Sequence, residues 1–164
     1  LAADVLTSEL AREQIETKVL GYLRCARAVA PGMVERGWGR IISISGLGQR
    51  SSASLVGSVR NVAVSAMTAA LAAELGPKGV NVTVVHPGMT VTERLPGLLA
   101  DRAAREGVDE AEVARRLARG TTIGRLVTAA EVADVVTFLA SPRSVAVNGD
   151  AVAVGGGQPG VIHY

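Results

Sequence analysis

The spacing of apolar residues along the chain alternates between the period of a helix and the period of a strand. From Glu9 to Glu35, apolar side chains recur at helical spacing, which predicts one long amphipathic helix. Gly37 and Gly39 follow and are expected to end it. Short runs rich in β-branched residues predict strands at Arg40 to Ser45, Val80 to His86 and Asp150 to Val154.

An alanine-rich helix is predicted between the first two strands, from Asn61 to Leu75. The sequence Gly76-Pro77-Lys78-Gly79 has the composition of a helix end followed by a turn. The segment from Gly46 to Gly57, rich in glycine and serine, is expected to be a loop.

Two helical regions are predicted between the second and third strands. The stretch from Glu93 to Arg119 is polar and helical in pattern, and a second short helix is expected to open at Asp109. Thr128 and Glu131 have the spacing of a capping box, which predicts a helix that continues to Leu139.

Strands that alternate with helices of this length predict an α/β fold: a Rossmann-like, doubly wound parallel sheet in three α/β/α layers. The chain is interpreted as a single domain, residues 1–164. Only three strands are predicted, so the first βαβ units of such a fold are expected to be absent from this chain. Apolar strand residues are expected in the interior: Ile41, Ile42, Ile44, Val82, Val84, Val85, Val152 and Val154.

Composition narrows the function classes. Apolar residues make up 48% and charged residues 20% of the 164 positions, as in a folded globular domain. The net charge is +2 and aromatic residues are 2% of the chain, so nucleic-acid binding is not expected. Cys25 is the lone cysteine, which fits a reducing compartment and a cytoplasmic location. Neither a membrane span nor a signal peptide is predicted.

Four sequence blocks occur in the order and spacing of the short-chain dehydrogenase/reductase (SDR) family, which the chain resembles from Glu9 to Gly157. They are G-R-I-I-S-I-S (Gly39 to Ser45), A-A-E-L-G-P-K-G-V-N-V (Ala72 to Val82), P-G-x-x-x-T (Pro87 to Thr92) and I-G-R-L-V-T-A-A-E-V-A-D-V-V-T-F-L-A-S (Ile123 to Ser141). The resemblance implies hydride transfer between NAD or NADP and a small carbonyl or alcohol. It also implies a homodimer or homotetramer, and a substrate lid at residues 93–120.

The resemblance further implies four catalytic side chains, and this chain departs from most of them. The family tyrosine and lysine of Y-x-x-x-K map to Gly57 and Asn61, and the family asparagine maps to Lys18. The family serine maps to Ser45, or to Gly46 if the strand is read one residue later. A glycine cannot exchange a proton, so whether the chain is an enzyme stays open.

Lys18 and Ser45 are the predicted replacement pair for catalysis, because a desolvated lysine can act as an acid or a base. A solvated or structurally paired lysine is the alternative for Lys18. Tyr22, one helical turn beyond it, is expected to pack against the sheet. Tyr164 of a neighbouring subunit is the next candidate, with a frayed terminus as its alternative.

Cofactor contacts implied by the resemblance are Pro87 and Gly88, which let the backbone approach the nicotinamide, and Thr92, near the carboxamide. His86 lies at the carboxyl end of a predicted strand, where ligands bind in open α/β sheets, and either contacts substrate or is structural. No metal site is predicted. The competing function is a non-catalytic SDR-like subunit with a binding or assembly role.

Overall fold

The computed structural model describes residues 8–50, except for the side chains of 49 and 50, and residues 54–160. The helices are α1 (Ser8–Gln14), α2 (Gly21–Glu35), α3 (Leu55–Leu75), α4 (Leu95–Glu106), α5 (Glu110–Arg119) and α6 (Ala129–Ala140). The strands are β1 (Gly39–Ile44), β2 (Val80–Pro87), β3 (Thr90–Val91), β4 (Val127–Thr128) and β5 (Ala151–Val154).

The main sheet has three strands in the order β1-β2-β5. Strands β1 and β2 are parallel, and Gly39 pairs with Val80 at one end and Ile44 with Val85 at the other. The chain crosses from β1 to β2 through α3, as a parallel pair requires. The predicted α/β class with a parallel sheet is confirmed.

The described chain falls into two compact units. Of the described residues, the first contains 8–50, 54–86 and 136–152, and the second contains 87–135 and 153–160. The second unit holds a short parallel pair, β3 with β4, which the sequence pattern did not predict because two-residue strands have no measurable period. The interpretation of residues 1–164 as a single domain stays a prediction.

The core of the first unit forms where α3 packs on β2. Ala72, Leu75, Val80 and Val82 are buried together there. Residues of α2 and β1 pack against this cluster, including Met33 and Ile41, which are partly buried. Apolar residues of α2 and α3 therefore cover this part of the sheet.

The predicted interior is correct for β2 and wrong for parts of the outer strands. Val82, Val84 and Val85 are at most 1% exposed. Ile44 is 38% exposed, and four other predicted interior residues are only partly buried: Ile41, Ile42, Val152 and Val154. The reason is that β1 and β5 lie at the two edges of the sheet, so β2 alone has a strand on each side.

The helix predicted at Asn61 begins earlier, at Leu55, and the predicted loop is correspondingly shorter. Ser54 is its N-cap: the Ser54 hydroxyl accepts a hydrogen bond from the Gly57 amide at 3.1 Å. A serine at this position satisfies a backbone donor that would otherwise lack a partner, and the helix extends back to it. Gly57 therefore lies in the first turn of α3.

The predicted long helix is helical throughout, but it is interrupted by a π-helical segment, Ile15–Leu20, between α1 and α2. The predicted capping box is confirmed, because Thr128 N donates to Glu131 at 2.8 Å and Glu131 N donates to Thr128 Oγ1 at 3.2 Å. The predicted short helix at Asp109 is also confirmed, with Asp109 as its N-cap.

Helix α3 and the turn after it, Leu55–Lys78, are long and apolar enough to cross a membrane by length and composition alone. The core helix of a soluble protein passes the same test. Only 22% of its apolar window is buried, and the exposed apolar side chains of α3 include Leu55, Val59 and Val62.

Candidate active site

Three polar side chains meet at the carboxyl end of β1, within the first compact unit. Ser45 directly follows β1, Lys18 lies in the π segment, and Asn61 lies on α3. The Ser45 hydroxyl donates to Asn61 Oδ1 at 3.1 Å, and Lys18 Nζ donates to the same oxygen at 3.3 Å. The structure thus brings the two predicted catalytic residues to one acceptor atom.

Asn61 is the centre of this cluster and is only 5% exposed. Its amide nitrogen donates to the Gly46 carbonyl at 3.3 Å, so the side chain is held from both ends. The Ser45 amide continues the strand ladder by donating to the Val85 carbonyl at 2.8 Å. Because the backbone of Ser45 and the amide of Asn61 are both fixed, the position of the serine hydroxyl is fixed too.

The π segment gives Lys18 its place in the cluster. A π turn widens the helix by one residue and changes the direction of the side chains it carries. Such turns inside α-helices are frequent at functional sites. Lys18 lies within Ile15–Leu20, and its ammonium reaches a residue 43 positions further along the chain.

Arg60 brings a second cation to the cluster. Burial lowers the pKa of Lys18 below its usual value, and the charge of Arg60 lowers it further. The Arg60 guanidinium donates to the side-chain oxygen of Gln14, one helical turn before Lys18. The Arg60 Nε atom is buried, and no acceptor for it occurs among the described residues. The site is therefore positively charged and rich in donors.

Tyr22 occupies a structural position beside the cluster. Its hydroxyl donates to the Ile44 carbonyl at 2.6 Å. Burial raises its pKa above the usual value, Arg60 acts in the opposite direction, and Cys25 raises it again. A neutral phenol already bonded to the backbone is a poor proton acceptor, in agreement with the packing interpretation.

His86 is 1% exposed and both of its ring nitrogens contact protein groups. Nδ1 lies 3.0 Å from the Gly46 carbonyl oxygen, and Nε2 lies 3.0 Å from the Ser65 hydroxyl. This arrangement favours the structural alternative, in which the ring fixes the loop after β1. The role of His86 in binding substrate stays a prediction.

The predicted cofactor contacts belong to the second compact unit. Pro87 ends β2, and the Gly88 amide donates to the Val154 carbonyl at 3.0 Å. Thr92 is exposed, and its carbonyl accepts from the Leu95 amide at 3.0 Å. Their contacts with a nicotinamide stay predictions. Tyr164 lies outside the described residues. Within the described ranges, no three His, Cys, Asp or Glu side chains gather as a metal-ligand set.

Sequence reasoning missed Arg60 and the central role of Asn61. One signal was present in the sequence: the family resemblance implies an asparagine at the position of Lys18 and a lysine at the position of Asn61. Two such exchanged residue types point to a pair of side chains in contact. The 3.3 Å bond between Lys18 and Asn61 is that contact.

Comparison with known proteins identifies the family. Residues 2–158 match the family described as enoyl-(acyl carrier protein) reductase. The short-chain reductase protein NovJ of Streptomyces niveus is 36% identical over 146 residues, which cover 88% of this chain and 54% of NovJ. The chain belongs to the short-chain dehydrogenase/reductase family, and it spans about half the length of this relative.

Solved structures with the same fold include an NAD-bound 3-oxoacyl-[acyl-carrier protein] reductase from Brucella melitensis. It is 29% identical, with a TM-score of 0.77, and the match covers 93% of this chain and 53% of that one. L-sorbose reductase from Gluconobacter frateurii is 24% identical, with a TM-score of 0.87 over 96% of this chain and 61% of that one. At that identity the second likeness concerns the fold alone.

Proposed function

We propose that this chain forms the substrate-binding part of an NAD(P)-dependent oxidoreductase that interconverts a small carbonyl compound and its alcohol. The observation that carries the proposal is the convergence of Lys18 and Ser45 on Asn61 Oδ1, at 3.3 and 3.1 Å. Because the chain spans 54% of NovJ, the activity is proposed for a protein in which this chain acts with a unit that binds the cofactor phosphates.

The cofactor is proposed to be NAD or NADP, and this chain would contact its nicotinamide end through Pro87, Gly88 and Thr92. Thr92 fits that end because it is exposed, so its hydroxyl is accessible to a ligand. The Brucella melitensis reductase was solved with bound NAD, which supports the class of cofactor. When bound, the nicotinamide supplies the hydride for reduction or accepts it for oxidation.

In this proposal Lys18 exchanges the proton and Ser45 positions the substrate oxygen. The Lys18 ammonium gives a proton to the carbonyl oxygen during reduction, and the neutral amine removes it from the alcohol during oxidation. A pKa lowered by burial and by Arg60 makes the neutral amine more accessible, which a general acid–base group requires. Asn61 accepts from both residues and keeps their donors on one side of the site.

Lys18→Ala tests the proposal in the complete protein, with oxidation of NADPH and NADH measured against a panel of aldehydes and ketones. Loss of a positioned proton donor is expected to lower kcat by about 10²–10⁴-fold. Lys78→Ala is the matched control, because Lys78 is an exposed lysine whose nearest carboxylate, Glu74, is 4.0 Å away. Full turnover in Lys18→Ala, with unchanged circular dichroism, would remove Lys18 from the mechanism.

A non-catalytic subunit with a binding or assembly role is the second candidate. It is favoured by Gly57 and Asn61, which stand where the family has tyrosine and lysine. In that case the complete wild-type protein would consume no cofactor with any substrate in the panel. The quenching of nicotinamide fluorescence would then show whether cofactor binding remains without turnover.

The protein is proposed to act as a homodimer or homotetramer that pairs through α3, without a membrane or nucleic acid, in the cytoplasm. Leu55, Val59 and Val62 are 64%, 53% and 51% exposed and lie at helical spacing on one face. Pairing with a second copy would bury this apolar face. A variant that carries Val59→Lys and Val62→Lys is expected to lower the mass measured by light scattering; a monomeric wild-type protein at micromolar concentration would contradict this.

The segment 93–120 is proposed to be the substrate lid. It contains α4 and α5, which are joined by Arg116: its guanidinium lies 3.1 Å from Glu106 and 2.8 Å from Glu112. Few of its side chains are buried, among them Ala103 and Val113. A helical pair with exposed ion pairs and a small apolar face can move as one body over bound substrate.

A further inference from the structure

The candidate active site contains two cations that have no carboxylate partner among the described residues. These are Lys18 and Arg60, on facing helical segments. Some other basic side chains in the described parts of the chain form ion pairs; for example, Arg24 pairs with Glu16, two residues before Lys18. Glu16, the acidic residue of the π segment, therefore already has Arg24 as its ion-pair partner.

Hydrogen-bond donors outnumber acceptors in this cluster. Lys18 has three N–H donors and Arg60 has five, while Ser45 adds a hydroxyl. The acceptors they find are Asn61 Oδ1, which Lys18 and Ser45 share, and the side-chain oxygen of Gln14. Arg60 Nε is buried, and none of the described residues offers it an acceptor. Buried donors without acceptors are rare in folded proteins because each costs free energy.

Both the excess of hydrogen-bond donors and the charge of this cluster favour the binding of an anion. Two like charges in a partly buried site disfavour each other, and burial disfavours both further. A negatively charged group placed between them would reverse these effects, since its oxygens would accept the spare N–H donors. A planar guanidinium is especially suited to carboxylate and phosphate oxygens, which it can bind with two parallel hydrogen bonds.

We propose that Arg60 and Lys18 form a binding site for the anionic oxygen group of the substrate, either a carboxylate or a phosphate, beside the reacting oxygen that Ser45 positions. The substrate class is then a carbonyl or hydroxyl compound that carries this anion beside the reacting carbon, such as a 2-oxo acid and its 2-hydroxy acid. Arg60 supplies the charge for the anion, and Lys18 faces the neighbouring oxygen. This assignment of substrate rests on the proposed function, whereas the anion site itself does not.

The lysine content of the chain permits a direct test of the site. Lys18 and Lys78 are the two lysines of the given sequence, so labelling the complete protein with ¹³C,¹⁵N-lysine gives one signal for the site and one internal control from this part, each assigned by its loss in Lys18→Arg or Lys78→Arg. The pH titration of both signals is followed by NMR in three separate samples, which contain lactate, its neutral analogue lactamide, or inorganic phosphate. An anion in contact with Lys18 is expected to raise its measured pKa by about one unit or more. The signal of Lys78 should not respond.

Variants of Arg60 test whether the response of the Lys18 signal requires Arg60 itself or only the net charge of the protein. Arg60→Gln should abolish the response of Lys18 to the anion, and Arg60→Lys should retain part of it. Arg27→Gln is the matched control, because Arg27 is exposed on α2 and the change in net charge is the same. Circular dichroism verifies the fold of each variant, and the wild-type titrations decide the question even if a variant does not fold.

A response to lactate identifies a carboxylate site, and a response to phosphate alone assigns the same site to a phosphate group. The proposal is overturned if lactamide acts as strongly as lactate, if neither anion moves the Lys18 signal, or if Arg60→Gln leaves the response intact. Full turnover of Lys18→Ala together with an intact anion response in the wild-type protein would refute the proposed proton donor. In that case the anion site would remain supported, although Lys18 would not be the proton donor.

Discussion

Exchanging the two residues at the centre of the site tests whether their contact holds the cluster together. The change is Lys18→Asn combined with Asn61→Lys, which keeps the composition and reverses the positions. Lys18 Nζ lies 3.3 Å from Asn61 Oδ1, and Arg60 is the neighbouring residue on α3. The two single changes disturb this cluster in opposite ways, and the double change restores one lysine and one asparagine.

The magnitudes follow from charge and hydrogen bonding. Lys18→Asn removes a hydrogen bond of a charged group, worth about 1.5–3 kcal/mol, but it also removes a partly buried cation next to Arg60. We expect it to lower the free energy of unfolding by about 1 kcal/mol. Asn61→Lys places a second ammonium at the contact, where two unit charges 3.3 Å apart repel by about 5 kcal/mol at an effective dielectric constant of 20.

Movement of the flexible side chains will reduce that repulsion, so we expect Asn61→Lys to cost about 3 kcal/mol. The double variant should cost about 1 kcal/mol, since the lysine–asparagine bond can form again in the opposite direction. Its free energy of unfolding should therefore exceed the additive expectation by about 3 kcal/mol, a coupling typical of residues in contact.

Urea unfolding, followed by circular dichroism, measures all four proteins of this cycle. The control cycle combines Asn61→Lys with Lys78→Asn, which changes the composition identically but removes an exposed lysine from another position. The control should be additive within about 0.5 kcal/mol. Additive energies in the Lys18 cycle as well would refute the argument that this contact organises the site.

Three further predictions concern the fold. Gly79→Ala is expected to lower stability by at least about 2 kcal/mol, because Gly79 has a φ of +84° and an added Cβ would lie 2.0 Å from the Gly37 carbonyl oxygen; Gly107→Ala, with a φ of +66° and open space around it, should cost about 1 kcal/mol. Thermal unfolding of both variants measures the difference. The pKa of Glu131 is lowered to about 2, chiefly by its hydrogen bond with Arg125. Its stabilising effect should thus be present above the ordinary carboxyl pKa and vanish as the pH falls towards 2, so Tm values of the wild type and of Glu131→Gln should converge in acid. Amide hydrogen exchange should be faster throughout α4 and α5 than in β2, and equal protection would contradict the proposed lid.

The sequence by itself determined the features that depend on neighbouring residues. The capping box at Thr128 and Glu131 joins atoms three residues apart, so its spacing is visible in the sequence and the structure reproduces it. The strand Val80 to His86 was predicted from its run of β-branched residues, and the structure has β2 at Val80–Pro87. The family was predicted from four blocks in order and is confirmed by the match of residues 2–158.

Only the tertiary structure decided what the polar residues contact. Ser45 and Asn61 are 16 positions apart, and Lys18 and Asn61 are 43 apart, so no local pattern specifies that they share one oxygen atom. The π segment that carries Lys18 has the same helical spacing of apolar residues as its flanks, and the pattern therefore predicted an uninterrupted helix. The exposure of Ile44 was also missed, because an apolar strand sequence does not reveal whether the strand lies at the edge of the sheet or in its middle. These properties depend on how α3 and the π segment pack beside β1, which long-range burial fixes and local preference does not.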